Sequence, residues 1–265
     1  MPDEDTAPVA LVTGGARRVG ASIVRALAQA GYRVWIHHHA SQAAARTLAQ
    51  DLGAARAVPI RCDLSDPRAR GALVDAVAGP AGPFGGRLNL LVNNAAGFER
   101  GAFERRTDDD LRRVLELNLV APLSLVRGLL SALRPRPDAE RRTAGCVVNI
   151  LDLGALAPWP GYVDHCAAKA GLANATRALA AALAPVRVNA VAPGTVLWPD
   201  DPAFAPGTAA RRRIEARIPL RRAGTPEDVA RAVLYLAQAP YVTGEIHVVD
   251  GGRLAAAGVA GRTEA

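Results

Sequence analysis

The stretch Val9-Ala10-Leu11-Val12-Thr13-Gly14-Gly15-Ala16-Arg17-Arg18-Val19-Gly20 decides how the rest of the chain is read. An apolar run of β-forming residues ends in a glycine-rich turn, and the turn opens directly into a helical pattern. Glycines here permit a tight reversal and bring backbone N–H groups close to an anion at a helix N-terminus. Such a turn can also serve only to pack a helix on a strand. Its place in the first strand–helix unit favours a dinucleotide pyrophosphate.

Downstream the alternation repeats. Runs at 33–37, 57–61, 88–92, 146–151, 186–191 and 246–249 read as further strands, and helical patterns occupy 17–30, 41–53, 66–78, 110–133, 161–184 and 225–238. Strands alternating with helices of this length predict βαβ units. The expected fold is therefore α/β: a single Rossmann-type, doubly wound domain on a seven-stranded parallel sheet. It should span 9–253, between flexible segments at 1–8 and 254–265. The Gly/Pro-rich loop at 79–86 and the Pro- and charge-rich loop at 134–143 do not split it into two cores.

Composition narrows the partners. Half of the 265 residues are hydrophobic, which excludes disorder for the body of the chain. With 4% aromatic residues, a stacking platform for single-stranded nucleic acid is not expected. No apolar run approaches the ~18–20 residues of a membrane helix, and the acidic start lacks the basic-then-apolar form of a signal peptide. A cytoplasmic protein is expected. The net charge of +7 is carried largely by dispersed arginine pairs such as Arg105-Arg106 and Arg221-Arg222, which read as solvated faces rather than a nucleic-acid patch. Cys62, Cys146 and Cys166 are too irregularly spaced for a disulfide framework or metal site and read as reduced thiols. Among 32 basic residues there is one lysine, Lys169. In a chain that otherwise uses arginine, this marks a position wanting a compact ammonium.

The second strand runs into His37-His38-His39-Ala40-Ser41. An NAD-type site would carry an acidic residue here to hold the ribose 2′-hydroxyl. Its absence, with Arg18, the imidazoles and the Ser41 hydroxyl nearby, favours a 2′-phosphate and hence NADPH/NADP+. Side chains alternate faces along a strand, so the three imidazoles should not converge on an ion, and no metal site is expected.

Further motifs follow in order: Cys62-Asp63-Leu64, Asn93-Asn94-Ala95-Ala96-Gly97, Asn118, Asn149-Ile150-Leu151-Asp152, His165-Cys166-Ala167-Ala168-Lys169 and Pro193-Gly194. Nearly all fall at carboxyl ends of strands, where open α/β sheets bind ligands. This string resembles the short-chain dehydrogenase/reductase family across 9–252, and within it the pteridine reductases. The glycine turn resembles their Gly-x-x-x-Arg-x-Gly, and 37–41 resembles their His-x-His-Arg-Ser phosphate clamp. Phe98 falls where they stack a ring on the pterin. Asp152 stands where they have aspartate and most of the family has serine. Trp198-Pro199-Asp200-Asp201 begins a loop resembling their substrate lid.

The resemblance implies cofactor contacts at Gly14, Arg18, Val19, Gly20, His38, His39, Ser41, Asp63, Leu64, Asn94, Ala95, Lys169, Pro193 and Gly194. It implies catalytic roles for Asp152, His165, Lys169 and Asn118, and substrate contacts at Phe98, Tyr162 and Trp198. It also implies a homotetramer formed through 161–184 and 242–252. Two positions depart from the pattern. Ala40 replaces the clamp's arginine, and His165 replaces the tyrosine of the family's Tyr-x-x-x-Lys motif with the 13-residue spacing from Asp152 intact.

His165 and Lys169, four apart on a helix, should share a face directed into the site. Imidazole titrates near ~6.5 and exchanges protons at neutral pH without the help a phenol needs. The expected activity is NADPH-dependent reduction of a pterin-like (dihydropterin/dihydrofolate) C=N bond. A carbonyl or 3-oxoacyl reductase and a non-catalytic nucleotide-binding protein are the alternatives.

Overall fold

The computed structural model describes residues 7–135 and 144–257. Most of the charged loop expected at 134–143 lies outside the described residues, as do 1–6 and 258–265.

Seven strands form one parallel sheet in the order β3-β2-β1-β4-β5-β6-β7. They are β1 (Val9–Val12), β2 (Arg33–His38), β3 (Ala57–Arg61), β4 (Leu90–Asn93), β5 (Cys146–Ile150), β6 (Arg187–Pro193) and β7 (Ile246–Val249). The order reverses between β1 and β4, whose register pairs Leu11 with Leu91. A crevice opens beyond the carboxyl ends at such a reversal. β1, β4 and β5 are buried along their whole length, as strands covered by helices on both faces must be.

The helices α1 (Arg18–Gln29), α2 (Gln42–Leu52) and α9 (Pro226–Gln238) carry one apolar layer. That layer joins Ile23, Leu27 and Val233 to Val12, Ile36 and Val148 of the sheet. On the opposite face α3 (Pro67–Ala78), α4 (Asp108–Leu115), α5 (Ala121–Gly128), α6 (Leu130–Leu133) and α7 (Val163–Ala182) follow the strands. There Leu73, Val77 and Leu125 pack on Leu11, Leu91 and Val147. α8 (Ala209–Ala216) lies in the long connection after β6, and α10 (Arg253–Ala257) follows β7. The tail expected from 254 thus begins in a helical turn.

The helix expected over 110–133 is not continuous. A π turn occupies Glu116–Val120 between α4 and α5, and Leu129 breaks the helix again before α6. Among the described residues no helix is long and apolar enough to cross a membrane.

Candidate active site

A cleft of about 890 Å³ follows the carboxyl ends of the strands. Its floor is the glycine turn. Gly14 adopts φ +60, and a Cβ on Gly20 would stand 2.1 Å from the Gly14 carbonyl oxygen, so α1 reaches the turn only with glycine there. Thr13 Oγ1 accepts from the backbone N–H of Asn94 and Ala95, and Asn94 Nδ2 donates to the Thr13 carbonyl at 2.9 Å. These bonds join the β1 and β4 loops into one rigid base.

His37 completes that base, in a role the sequence reading missed. Its Nδ1 accepts from the Gly14 N–H at 2.9 Å, and its Nε2 donates to the Cys62 carbonyl at 3.1 Å. The ring is therefore a neutral Nε2–H tautomer, and burial holds its pKa down to about 4. Alternation along β2 sends His38 to the other side of the strand. His38 is buried with Nδ1 unpartnered and does not line the cleft. His39 reaches the rim, with Nε2 3.9 Å from Asp63 Oδ2. Ser41 stands at the N-terminus of α2 without a side-chain capping bond, also outside the cleft. Cys62 is buried beside this base with its thiol pushed up to about 11, which keeps it protonated.

The N-terminus of α1 has features that fit a dinucleotide. Its N-cap, Arg17, makes no side-chain capping bond, and its first turn holds no acidic residue. The first N–H groups of a helix lack intrahelical acceptors, so an anion is favoured there. Arg17 and Arg18 line the cleft at this point, with Arg18 in the left-handed region at φ +53. Gly20, Asp63, Leu64, Asn94, Ala95, Pro193 and Gly194 line the same cavity with Gly14 and Val19.

A second cluster in the cleft centres on Asp152. It follows β5 and lines the cleft, and Gly154 makes room for it, since a Cβ there would come within 2.8 Å of Asp152 Oδ1. His165, the third residue of α7 and next after Asp164, is 2% exposed. Both its ring nitrogens are engaged: Nε2 with Asp152 Oδ2, and Nδ1 with the Gly97 carbonyl at 3.0 Å. Both partners present acceptor oxygens. The pair must therefore hold a proton between Nε2 and Oδ2, either as imidazolium with carboxylate or as imidazole with carboxylic acid. Asp152 Oδ1 has no hydrogen-bond partner in the protein.

Asn118 lies in the π turn, a distortion that recurs at functional positions. Its Nδ2 donates to the carbonyls of Gly97 (3.2 Å) and Val114 (3.0 Å), and its buried Oδ1 is unpartnered. It sits behind Gly97 rather than on the cleft wall. Lys169 lines the cleft one helical turn beyond His165, with Nζ 2.8 Å from the Ile150 carbonyl. Burial pulls its pKa down to about 8, and the charge of Asp152 offsets part of that pull.

Aromatic rings wall the cleft. Phe98 is 55% exposed and stacks on Tyr162 with centroids 4.4 Å apart and planes 13° apart. It meets His165 edge-on at 4.9 Å. Tyr162 does not itself line the cleft but stands behind Phe98. Trp159 and Phe204, which the sequence reading did not single out, join Phe98 and Trp198 in the lining. Trp198 lies stacked against Phe204 at 6.2 Å and under the Arg211 guanidinium at 4.7 Å, tying the 198–204 loop to α8.

A family model described as enoyl-(acyl carrier protein) reductase matches residues 14–253. Among curated proteins, the chain is 34% identical to pteridine reductase 1 of Leishmania tarentolae, covering 95% of this chain and 98% of that one. It is 33% identical to the acetoacetyl-CoA reductase of Rhizobium meliloti (strain 1021), covering 92% and 98%. A solved crystal structure assigned as a betaketoacyl-ACP reductase superposes with a TM-score of 0.80 at 30% identity, covering 94% of this chain and 98% of that one. With the sheet order, the glycine turn and the Asp152–His165–Lys169 cluster in place, these matches show that the chain belongs to the short-chain dehydrogenase/reductase family, whose reductases use nicotinamide cofactors.

Proposed function

We propose that the protein is an NADPH-dependent reductase of a pterin-like C=N bond. The observation that carries this reading is the Asp152–His165 pair, which holds a proton between Nε2 and Oδ2 in a cleft that Phe98 also lines. When bound, NADPH supplies the hydride. Arg17, Arg18 and the N-terminus of α1 hold its phosphates, and Lys169 offers an ammonium to its ribose hydroxyls. Asp152 delivers to the ring nitrogen the one proton that the pair holds between His165 Nε2 and Oδ2. This leaves a carboxylate beside a neutral imidazole that keeps its Nδ1–H on Gly97. His165 shares the cleft lining with Asp152, but both its ring nitrogens are engaged, so in this reading the proton passes through the carboxylate.

Carbonyl reduction is the second reading, favoured by the match to an acetoacetyl-CoA reductase. The hydroxyl pair of serine and tyrosine that the resemblance leads one to expect for that chemistry is replaced here by Asp152 and His165. Steady-state NADPH oxidation with dihydrobiopterin, dihydrofolate and acetoacetyl-CoA separates the two. Turnover of either pterin with none of the thioester supports C=N reduction, and the reverse result refutes it.

The same reading includes a homotetramer, packed through α7 and through the segment from Val242 to Gly252. β7 is the free edge of the sheet and is only half-buried, and Tyr235 and Tyr241 beside it are exposed. A monomeric mass by light scattering at micromolar concentration rules the tetramer out.

A further inference from the structure

We infer that Arg253 and Thr195 form an oxyanion subsite in the cleft, taking either a phosphate of the dinucleotide or a carboxylate on the substrate. Arg253 opens α10, directly after the turn at Gly251 and Gly252, whose φ values are +66 and +88. The turn is held tightly. A Cβ on Gly251 would come within 2.6 Å of Ile218 Cγ2, and one on Gly252 within 3.0 Å of Pro219 Cγ. The side chain of Arg253 therefore leaves a fixed backbone position to line the cleft. There its Nη1 donates to Thr195 Oγ1 at 3.0 Å, and Thr195 is anchored by the Gly224 N–H donating to its carbonyl at 2.9 Å.

Among the described residues the cation has no acid of its own. Asp250, the nearest carboxylate in sequence, is spent on backbone, with Oδ1 accepting from Gly252 N at 2.7 Å and Oδ2 from Leu254 N at 2.6 Å. Among the described residues no carboxylate stands within ion-pair reach of Arg253, whereas Arg106, Arg113 and Arg211 each have one. A guanidinium has five donors in a planar fork, and one is used here to aim it. An oriented, half-buried and unneutralised guanidinium facing a ligand cavity matches a planar or tetrahedral oxyanion, with charge-assisted bonds stronger than neutral ones. The subsite deepens the proposed reduction and relies on it only for the choice of substrate probes.

Calorimetric titration tests it without turnover. Arg253→Leu is titrated with NADP+, and the NADP+-saturated protein is then titrated with folate and with biopterin. If the subsite holds a dinucleotide phosphate, NADP+ affinity falls about tenfold and Arg253→Lys recovers part of it. If it holds a substrate carboxylate, folate affinity falls by a similar factor while biopterin, which has no carboxylate, binds unchanged. Unchanged affinity for all three overturns the subsite, provided the variant melts as the wild type does. Wild-type protein that binds NADP+ but neither pterin refutes the pterin reading instead, and the NADP+ titration then decides the subsite alone.

Discussion

His165 and Asp152 both line the cleft and are joined there: His165 Nε2 meets Asp152 Oδ2, and its Nδ1 donates to the Gly97 carbonyl at 3.0 Å. The imidazole is enclosed, and the carboxylate is the group that a ligand can reach. The two residues should then act as one proton-delivering unit. General-acid catalysis contributes 10²–10⁴-fold, so Asp152→Asn and His165→Phe should each lower kcat by about that factor. Groups acting as a unit are strongly non-additive, so the double variant should lose little more than the worse single one. Additive losses in steady-state kinetics would show that the two act separately. NADP+ affinity should change little in either.

As the proposed ribose ligand, Lys169 should make cofactor binding pH-dependent. Its ammonium has a pKa lowered to about 8 by burial, from 10.5. NADP+ affinity measured by calorimetry should therefore fall as pH rises from 7 to 9, and Lys169→Met should remove that slope. The sign for folding is opposite. Between about 8 and 10.5 the unfolded chain binds the extra proton, so this group's contribution to stability rises with pH across that window. It is complete above 10.5 and is lost as pH falls through about 8. A wild-type affinity that is flat from pH 7 to 9 contradicts the assignment of Lys169 to the cofactor.

His37 acts in acid. Its folded pKa of about 4 lies below the ordinary 6.5, so it contributes stability that is complete above 6.5 and is lost as pH falls through about 4. Protonation also removes the acceptor that Gly14 N–H uses. The melting temperature should fall across pH 6.5 to 4, and the fall should be shallower in His37→Asn. An identical profile in the variant would place the acid sensitivity elsewhere.

The sheet was legible in the sequence because parallel strands buried on both faces leave apolar runs, and all seven lie where those runs predict. α8 was not, because Ala-Ala-Arg-Arg-Arg-Ile-Glu-Ala offers one large apolar residue and its start is set by Thr208 capping the Arg211 N–H. The break at Glu116–Val120 was hidden for a different reason. That stretch fits an uninterrupted helix locally, and the π turn coincides with a long-range bond from Asn118 to the Gly97 carbonyl. His165 and Lys169 could be placed on one helix face from their spacing, and Asp152 was joined to them by the family resemblance. How the imidazole is turned could not be read, because that depends on Gly97 supplying the acceptor that fixes Nδ1.

The proposed preference for NADP+ rests on the charge at the glycine turn. Arg17 and Arg18 line the cleft there, and no acidic residue follows β2 before α2. NADP+ should bind at least tenfold more tightly than NAD+, a difference of about 1.4 kcal/mol that one charge-assisted hydrogen bond can supply. Arg18→Gly is the informative variant, because glycine accepts the φ of +53 without strain while removing the charge. It should weaken NADP+ and leave NAD+ unchanged. Equal affinities in the wild type would defeat the preference.

In the proposed reaction Phe98, braced from behind by Tyr162, forms the substrate wall. Phe98 is 55% exposed, yet its ring is held by Tyr162 in a stacked contact at 4.4 Å and by Trp159 edge-on at 6.2 Å. A ring so braced offers a preformed face for a flat heteroaromatic substrate, with little side-chain entropy left to lose on binding. Aromatic pairs contribute about 0.5–1.5 kcal/mol beyond area burial, so Phe98→Ala should raise KM for the pterin roughly 2- to 10-fold. The proton-delivering pair is untouched by this change, so kcat should fall much less than in Asp152→Asn. Tyr162→Phe keeps the stacking ring and removes the hydroxyl, and should leave both constants near wild type. Tyr162→Ala removes the brace and should reproduce part of the KM increase of Phe98→Ala. If Tyr162→Phe lowers kcat by the 10²–10⁴-fold expected of a general acid, the phenol rather than the Asp152–His165 pair delivers the proton.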